Sequence, residues 1–156
     1  MWLSMADDVS WDQVISSPLR RCQEFAEAFC QRHGLNLHIE SDLREIGFGD
    51  WEGKTREQLL QEDAKAFQAF YQNPVIHTPA GAESIVDFRQ RIAEVVDRLE
   101  QDYVDKRVLV VSHAGVMRAV VGRVLRLPDH AMFRLIIANA ARVTVIPGNP
   151  SQLLLK

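Results

Sequence analysis

Val108-Leu109-Val110-Val111-Ser112-His113-Ala114-Gly115-Val116-Met117-Arg118 decides the fold class. Its first part, Val108–Ser112, is a continuous apolar run of the kind that a central strand of a parallel sheet shows, covered on both faces. The spacing after it predicts a helix from Gly115 to Leu127, stopped by Pro128. The same order, strand then helix, recurs at the front. Gln13–Ser16 reads as a short strand, Ser17 as an N-cap and Pro18 as the first helical residue. Leu19, Cys22, Phe25, Ala26, Phe29 and Cys30 then share one helical face, and Gly34 supplies the stop.

Between these ends the alternation continues. Leu37 and Ile39 mark a second short strand, followed by a loop containing Gly47, Gly49 and Gly53. Thr55-Arg56-Glu57-Gln58 is a capping box for a helix that runs to about Gln72. After a loop over Pro74–Glu83, Ser84 or Glu83 opens the longest helix. Its buried stripe is Ile85, Phe88, Ile92, Val95, Val96, Leu99 and Tyr103. Arg142–Ile146 alternates as a late strand. Strands alternating with helices imply a mostly parallel sheet with helices on its faces.

Composition narrows the function classes. The chain has 156 residues, the size of one domain, with 18 Lys+Arg against 21 Asp+Glu. That near-balance argues against nucleic acid or an anionic membrane surface as partner. No apolar run approaches a membrane span. The first seventeen residues hold no Lys or Arg but carry Asp7, Asp8 and Asp12, unlike a secretory signal, so a cytoplasmic location is expected. Cys22 and Cys30 lie about 12 Å apart along one helix, beyond the ~7 Å a disulfide allows. They are expected as half-buried thiols. No metal-ligating cluster and no Gly-x-Gly-x-x-Gly or Walker-type loop is present, so no metal and no cofactor is expected.

Three groups carry possible chemistry. Arg20 and Arg21 sit in the first turn of a helix, where the dipole disfavours cations unless an anion joins them. A surface arginine pair is the plain alternative. His113 ends a buried strand facing the same sheet edge, followed by residues small enough for a ligand to approach the backbone. A lone structural histidine is the plain alternative there. Glu45, flanked by Ile46 and Phe48 with Trp51 nearby, is placed for its pKa to be raised by desolvation, as a general acid requires. Glu52 is less well flanked.

Ser16-Ser17-Pro18-Leu19-Arg20-Arg21, Leu43-Arg44-Glu45 with Gly49-Asp50-Trp51-Glu52-Gly53, Gly81-Ala82-Glu83-Ser84 and Val111-Ser112-His113-Ala114-Gly115-Val116 together resemble the histidine phosphatase family. The motifs occur in the family's order and spacing from Trp11 to Ile146. The resemblance implies a three-layer α/β/α sandwich and phosphomonoesterase chemistry through a phosphohistidine. It further implies that Arg21 clamps phosphate, that Glu45 protonates the leaving oxygen, and that His113 is the second histidine, hydrogen-bonded to the transferring phosphoryl group. Positioning and electrostatic stabilisation are what phosphoryl transfer asks of a protein. The short loop and chain look closest to α-ribazole-phosphatase-like members, implying a small phosphorylated metabolite as partner. A phosphoglycerate mutase-type phosphotransferase is an alternative, and a non-catalytic phosphate- or partner-binding module is another. Ala82 and Ala114 stand where many members have Gly.

The family opens with a strand ending in Arg-His-Gly, whose His is the nucleophile. Here no His precedes Ser16. Arg32-His33-Gly34 follows the Ser-Ser-Pro motif and has no strand leading into it. It reads as a helix stop, with His at the negative dipole end and Gly just beyond. The chain therefore resembles a single histidine phosphatase-like domain over 1–156, lacking its first central strand and N-terminally incomplete. The helical spacing of Trp2, Met5, Ala6 and Val9 fits a helix remnant. Two strand edges are then expected without partners, with self-association or marginal stability as the consequence. His113 as a substitute nucleophile is disfavoured, because no second histidine would then stabilise the transferring group.

Overall fold

The computed structural model describes residues 9–154. The stripe expected from Trp2, Met5 and Ala6 lies outside them. The elements are β1 (Gln13–Ser16), α1 (Arg20–His33), β2 (Leu37–Ile39), α2 (Arg56–Gln72), α3 (Ile85–Asp102), β3 (Val108–Val111), α4 (Ala114–Val124), β4 (Thr144–Ile146) and β5 (Gln152–Leu154). The first three strands form a parallel sheet in the order β2-β1-β3. Ile15 pairs with His38 on one side and Val110 on the other.

The pleat explains how the layers assemble, since neighbouring side chains on a strand point to opposite faces. Val14 packs with Ala26, Phe29 and Cys30 of α1. Ile15, the next residue, joins Phe88, Ile92 and Val95 of α3 and Val116 of α4. Both strand residues are fully buried. Each such side chain contributes roughly 1.5–3 kcal/mol by leaving water. The helices thus cover both faces of the parallel sheet.

Local signals set most helix ends. Thr55 Oγ accepts from the Gln58 amide while Gln58 Oε1 accepts from the Thr55 amide, a complete capping box. Ser84 caps α3 through the Asp87 amide. Gly34, at φ 65°, ends α1 with its N–H on the Cys30 carbonyl. His33 is the last residue of that helix and stacks on Phe29 at 4.3 Å between ring centroids. It stands twelve residues beyond Arg21, about 18 Å along the axis.

Several expectations need correction. Helix α1 begins at Arg20 rather than Pro18, with Leu19 at the cap position and no side-chain cap. Ser17 lies two residues before that cap position, its hydroxyl meeting His113 and the Leu19 amide. Helix α2 is broken at Asp63, whose φ/ψ is −154°/88° and whose carboxylate recaps the chain through the Ala66 amide. Helix α4 starts at Ala114 and stops at Val124, short of Leu127, where Arg126 turns left-handed (φ 53°) and the Leu127 amide reaches back to Gly122. The thiols of Cys22 and Cys30 are buried rather than half-buried, 5% and 6% exposed. The late strand β4 pairs antiparallel with β5 in a separate hairpin instead of joining the parallel sheet. Finally, β3 is not central among the described residues: it pairs with β1 alone, and Val110 is 39% exposed.

Two loops are locked together beside the sheet. The Asp50 amide donates to the Ala80 carbonyl at 3.0 Å, and the Glu83 amide to the Gly47 carbonyl at 2.9 Å. Arg91 of α3 forks onto Glu83 (Nε–Oε1 2.9 Å, Nη2–Oε2 2.7 Å) and also donates to the carbonyls of Asp42 and Arg44. This paired fork holds the loop carrying Glu45 against the start of α3.

Candidate active site

His113 follows the carboxyl end of β3 and caps the entry to α4. Ligands of open parallel sheets bind beyond such strand ends. The adjacent end of β1 supplies Ser17, whose amide donates to the Val111 carbonyl at 2.9 Å. That bond draws the two strand ends together. Ser17 Oγ then lies 2.7 Å from His113 Nε2, both residues being buried.

Helix α1 starts three residues after Ser17, so its first turn passes over the histidine. Arg21 Nε donates to His113 Nδ1 at 3.2 Å. Cys22 Sγ lies 3.6 Å from Nε2 and 3.7 Å from Nδ1, and also contacts the Ser112 carbonyl. The two adjacent arginines separate cleanly. Arg21 faces the site, whereas Arg20 points outward and pairs with Glu24 at 2.5 Å with both side chains exposed. An exposed pair of that kind contributes ~0–1 kcal/mol.

Burial, aided by the Arg21 charge, lowers the His113 pKa to about 4, so the imidazole is neutral at pH 7. The Cys22 thiol is pushed up by burial and, in smaller measure, by Glu45, against the lowering effect of Arg21. It is therefore a packed thiol rather than a thiolate nucleophile.

Glu45 reaches the same place from the loop after β2. Its carboxylate accepts the Ile46 amide on Oε1 (3.1 Å) and the Gly115 amide on Oε2 (3.2 Å). The second bond ties it to the first turn of α4, two residues past His113. Glu52 is instead exposed and accepts the Phe48 amide at 3.1 Å. The structure thus gathers Arg21, Glu45 and His113 around one strand end and leaves His33 at the far end of α1.

Sequence reasoning assigned Gly115 to backbone approach by a ligand. The group it admits is Glu45: a Cβ at this position would fall 2.1 Å from Glu45 Oε1 and 3.3 Å from Ile46 Cγ2. Gly115→Ala is therefore expected to push the carboxylate off its amide while costing only about 1–2 kcal/mol of stability, since the side chain can swing away. Amide exchange at Gly115 checks this: faster exchange with an unchanged α4 is the expected result. Ser17 was also read wrongly, as a cap. The signal available was its position at a strand end, where a buried hydroxyl needs a partner.

A cleft of about 610 Å³ runs along α2, lined by Arg56, Leu60, Phe67, Gln68, Tyr71 and Gln72. None of Arg21, Glu45 or His113 lines it. Among the described residues, no group of three or more His, Cys, Asp and Glu is placed to hold a metal ion, and no helix is long and apolar enough to cross a membrane.

At one end of a parallel sheet with helices on both faces, a buried histidine thus accepts from an arginine of α1, beside a loop carboxylate that is bonded to the first turn of α4. Residues 3–155 match the histidine phosphatase superfamily (branch 1), and the chain belongs to that family. The adenosylcobalamin/alpha-ribazole phosphatase of Escherichia coli K12 is 34% identical over 125 residues, covering 80% of this chain and 62% of that protein. The chain thus spans about three fifths of the length of that curated relative. Among solved structures, the alpha-ribazole phosphatase from Shigella flexneri superposes with a TM-score of 0.80 at 29% identity, covering 99% of this chain and 77% of that one. A mycobacterial glucosyl-3-phosphoglycerate phosphatase complexed with VO3 gives a TM-score of 0.86 at 25% identity, covering 99% and 79%. These relatives are named as phosphatases, which hydrolyse phosphoric monoesters.

Proposed function

We propose that this chain carries the phosphate pocket of a phosphomonoesterase for a small phosphorylated metabolite, of the α-ribazole 5′-phosphate kind. The observation that carries the reading is the Arg21–His113 pairing, with Glu45 anchored on the amide of Gly115. In this proposal Arg21 holds the phosphate, His113 hydrogen-bonds the transferring phosphoryl group, and Glu45 protonates the departing oxygen. The names of the relatives support the substrate class.

Phosphohistidine chemistry needs an attacking imidazole besides the one that stabilises charge. Ser17 and Arg21 occupy both ring nitrogens of His113. That observation favours a second reading for the chain taken by itself: it binds phosphate without turning esters over. The test is hydrolysis of an aryl phosphate by the purified chain, with a trap for acid-labile phosphoprotein. No turnover and no label from folded protein is expected. A label lost in His113→Ala would make that residue the nucleophile, and one lost only in His33→Ala would overturn the site assignment.

The edge of β3 that has no partner among the described residues supports self-association by strand pairing. Sedimentation is expected to show mass rising with concentration, and Val110→Lys is expected to suppress the rise by charging that edge. A concentration-independent monomer would refute it.

A further inference from the structure

We propose that Ser17 is a positioning residue for His113: its hydroxyl fixes the imidazole through Nε2 and, because it can accept or donate, lets the neutral ring offer either a lone pair or an N–H at Nδ1. Arg21 Nε can only donate, so the 3.2 Å contact makes Nδ1 the acceptor in the free chain. The proton of the neutral ring is then on Nε2, and Ser17 Oγ, 2.7 Å away, accepts it. Oγ also receives the Leu19 amide at 3.3 Å, which holds the hydroxyl in place.

Nδ1 is also the nitrogen on the arginine side, where an anion held by Arg21 would lie. A phosphate oxygen there needs an N–H, not a lone pair. A carboxylate or carbonyl at Nε2 could only accept, so the ring could donate at Nδ1 only by becoming a cation. That step is costly for an imidazole 6% exposed beside an arginine. Ser17 removes the requirement. When Nδ1 gains a proton from solvent and Nε2 releases one, the hydroxyl turns from acceptor to donor, and the ring keeps its charge and its place. The other groups against the ring do not substitute for this: Cys22 Sγ sits at 3.6 Å and is a weak partner, and Glu45 is bonded to the Ile46 and Gly115 amides.

The proposal rests on the phosphate-pocket reading for its second half, and the experiment separates the two. The histidines of the full chain are labelled with 15N, and the His113 signals are assigned by their loss in His113→Gln. Tautomer populations are then read by NMR with and without inorganic phosphate. In the free chain, His113 is expected as the Nε2–H form. With phosphate it is expected as Nδ1–H, with no net proton uptake by calorimetry in two buffers.

Ser17→Ala is expected to keep the Nε2–H form when free, because Arg21 still donates to Nδ1, but to lose the clean shift to Nδ1–H with phosphate and to bind phosphate about 2–10-fold more weakly. Ser17→Thr, which keeps the hydroxyl, is expected to restore the shift to Nδ1–H, and Ser17→Cys is the size-matched control should the alanine variant not fold. A full shift to Nδ1–H with phosphate in Ser17→Ala, at undiminished affinity, or a doubly protonated His113 in the wild-type phosphate complex, would overturn the proposal. No phosphate binding by the wild-type chain would remove the pocket reading, while a hydrogen-bonded, exchange-protected Nε2 proton in the free chain that is unchanged in Ser17→Ala would by itself overturn the role of Ser17.

Discussion

Gly49→Ala is expected to be the most damaging single-methyl change in the chain, lowering stability by about 3 kcal/mol or more. Gly49 sits at φ 55°, and a Cβ there would lie 2.2 Å from the Ala80 carbonyl oxygen and 2.5 Å from the Ala82 amide nitrogen. Both obstacles are backbone, so no rotamer change relieves them. The cost combines left-handed strain of about 1–2 kcal/mol with overpacking of about 1–3 kcal/mol. The same clash would part the loops joined by the Asp50 to Ala80 and Glu83 to Gly47 bonds. Urea unfolding of Gly49→Ala beside Gly53→Ala separates the two costs, because nothing lies within 4 Å of a Cβ at Gly53, which also has positive φ (76°). Equal losses in both variants would show that strain alone matters.

The second large effect is a fall in stability on acidification that belongs to His113. Its pKa is lowered to about 4 in the folded chain, first by burial and then by Arg21, from an ordinary value of 6.5. Between those values the unfolded chain binds a proton that the folded chain refuses, so stability rises with pH across the window. The contribution is fully present above pH 6.5 and is lost as pH falls towards 4. At 1.36 kcal/mol per pKa unit the difference amounts to roughly 3 kcal/mol. The Asp97 carboxyl, held below its usual range by its hydrogen bond to Arg123, titrates beneath this window and does not obscure it. Urea midpoints from pH 7.5 to 4.5 are expected to fall in wild type and to fall much less in His113→Gln. Parallel slopes in the two proteins would show that the imidazole is not held neutral.

What was legible in the sequence was local. The Thr55 box, the Ser84 cap and the Gly34 stop each depend on a few neighbouring residues, and the structure reproduces all three. The buried stripe of α3 follows from spacing alone: Ile85, Phe88, Ile92 and Val95 all lie in the core. Strand partnership was not legible in this way. Three residues from Thr144 carry no mark of whether they join a parallel sheet or fold back on Gln152–Leu154. The apolar run of β3 suggested burial on both faces, whereas its residues are only partly buried and Val110 is exposed, because the run carries no record of how many neighbours the strand has.

The site divides along the same line. Arg21, Glu45 and His113 could be picked out by residue type and motif, and the fold does bring them to one strand end. The two residues that arrange them were misread because their partners are far away in sequence. Ser17 looked like a cap until its hydroxyl was seen on a histidine 96 positions later. Gly115 looked like room for a ligand, although Glu45, 70 positions earlier, fills that space. Long-range contacts of this kind leave no periodicity to read.

Whether Arg21 and His113 form one phosphate site is decided by titration calorimetry of inorganic phosphate into wild type and Arg21→Ala. Saturable one-to-one binding is expected in wild type, with a loss of at least about tenfold in Arg21→Ala, the scale of a charge-assisted hydrogen bond of about 1.5–3 kcal/mol. Arg20→Ala, which removes an equal charge from the outward-facing neighbour, is expected to bind nearly as wild type does. Equal losses in the two variants, or no binding in wild type, would contradict that shared site.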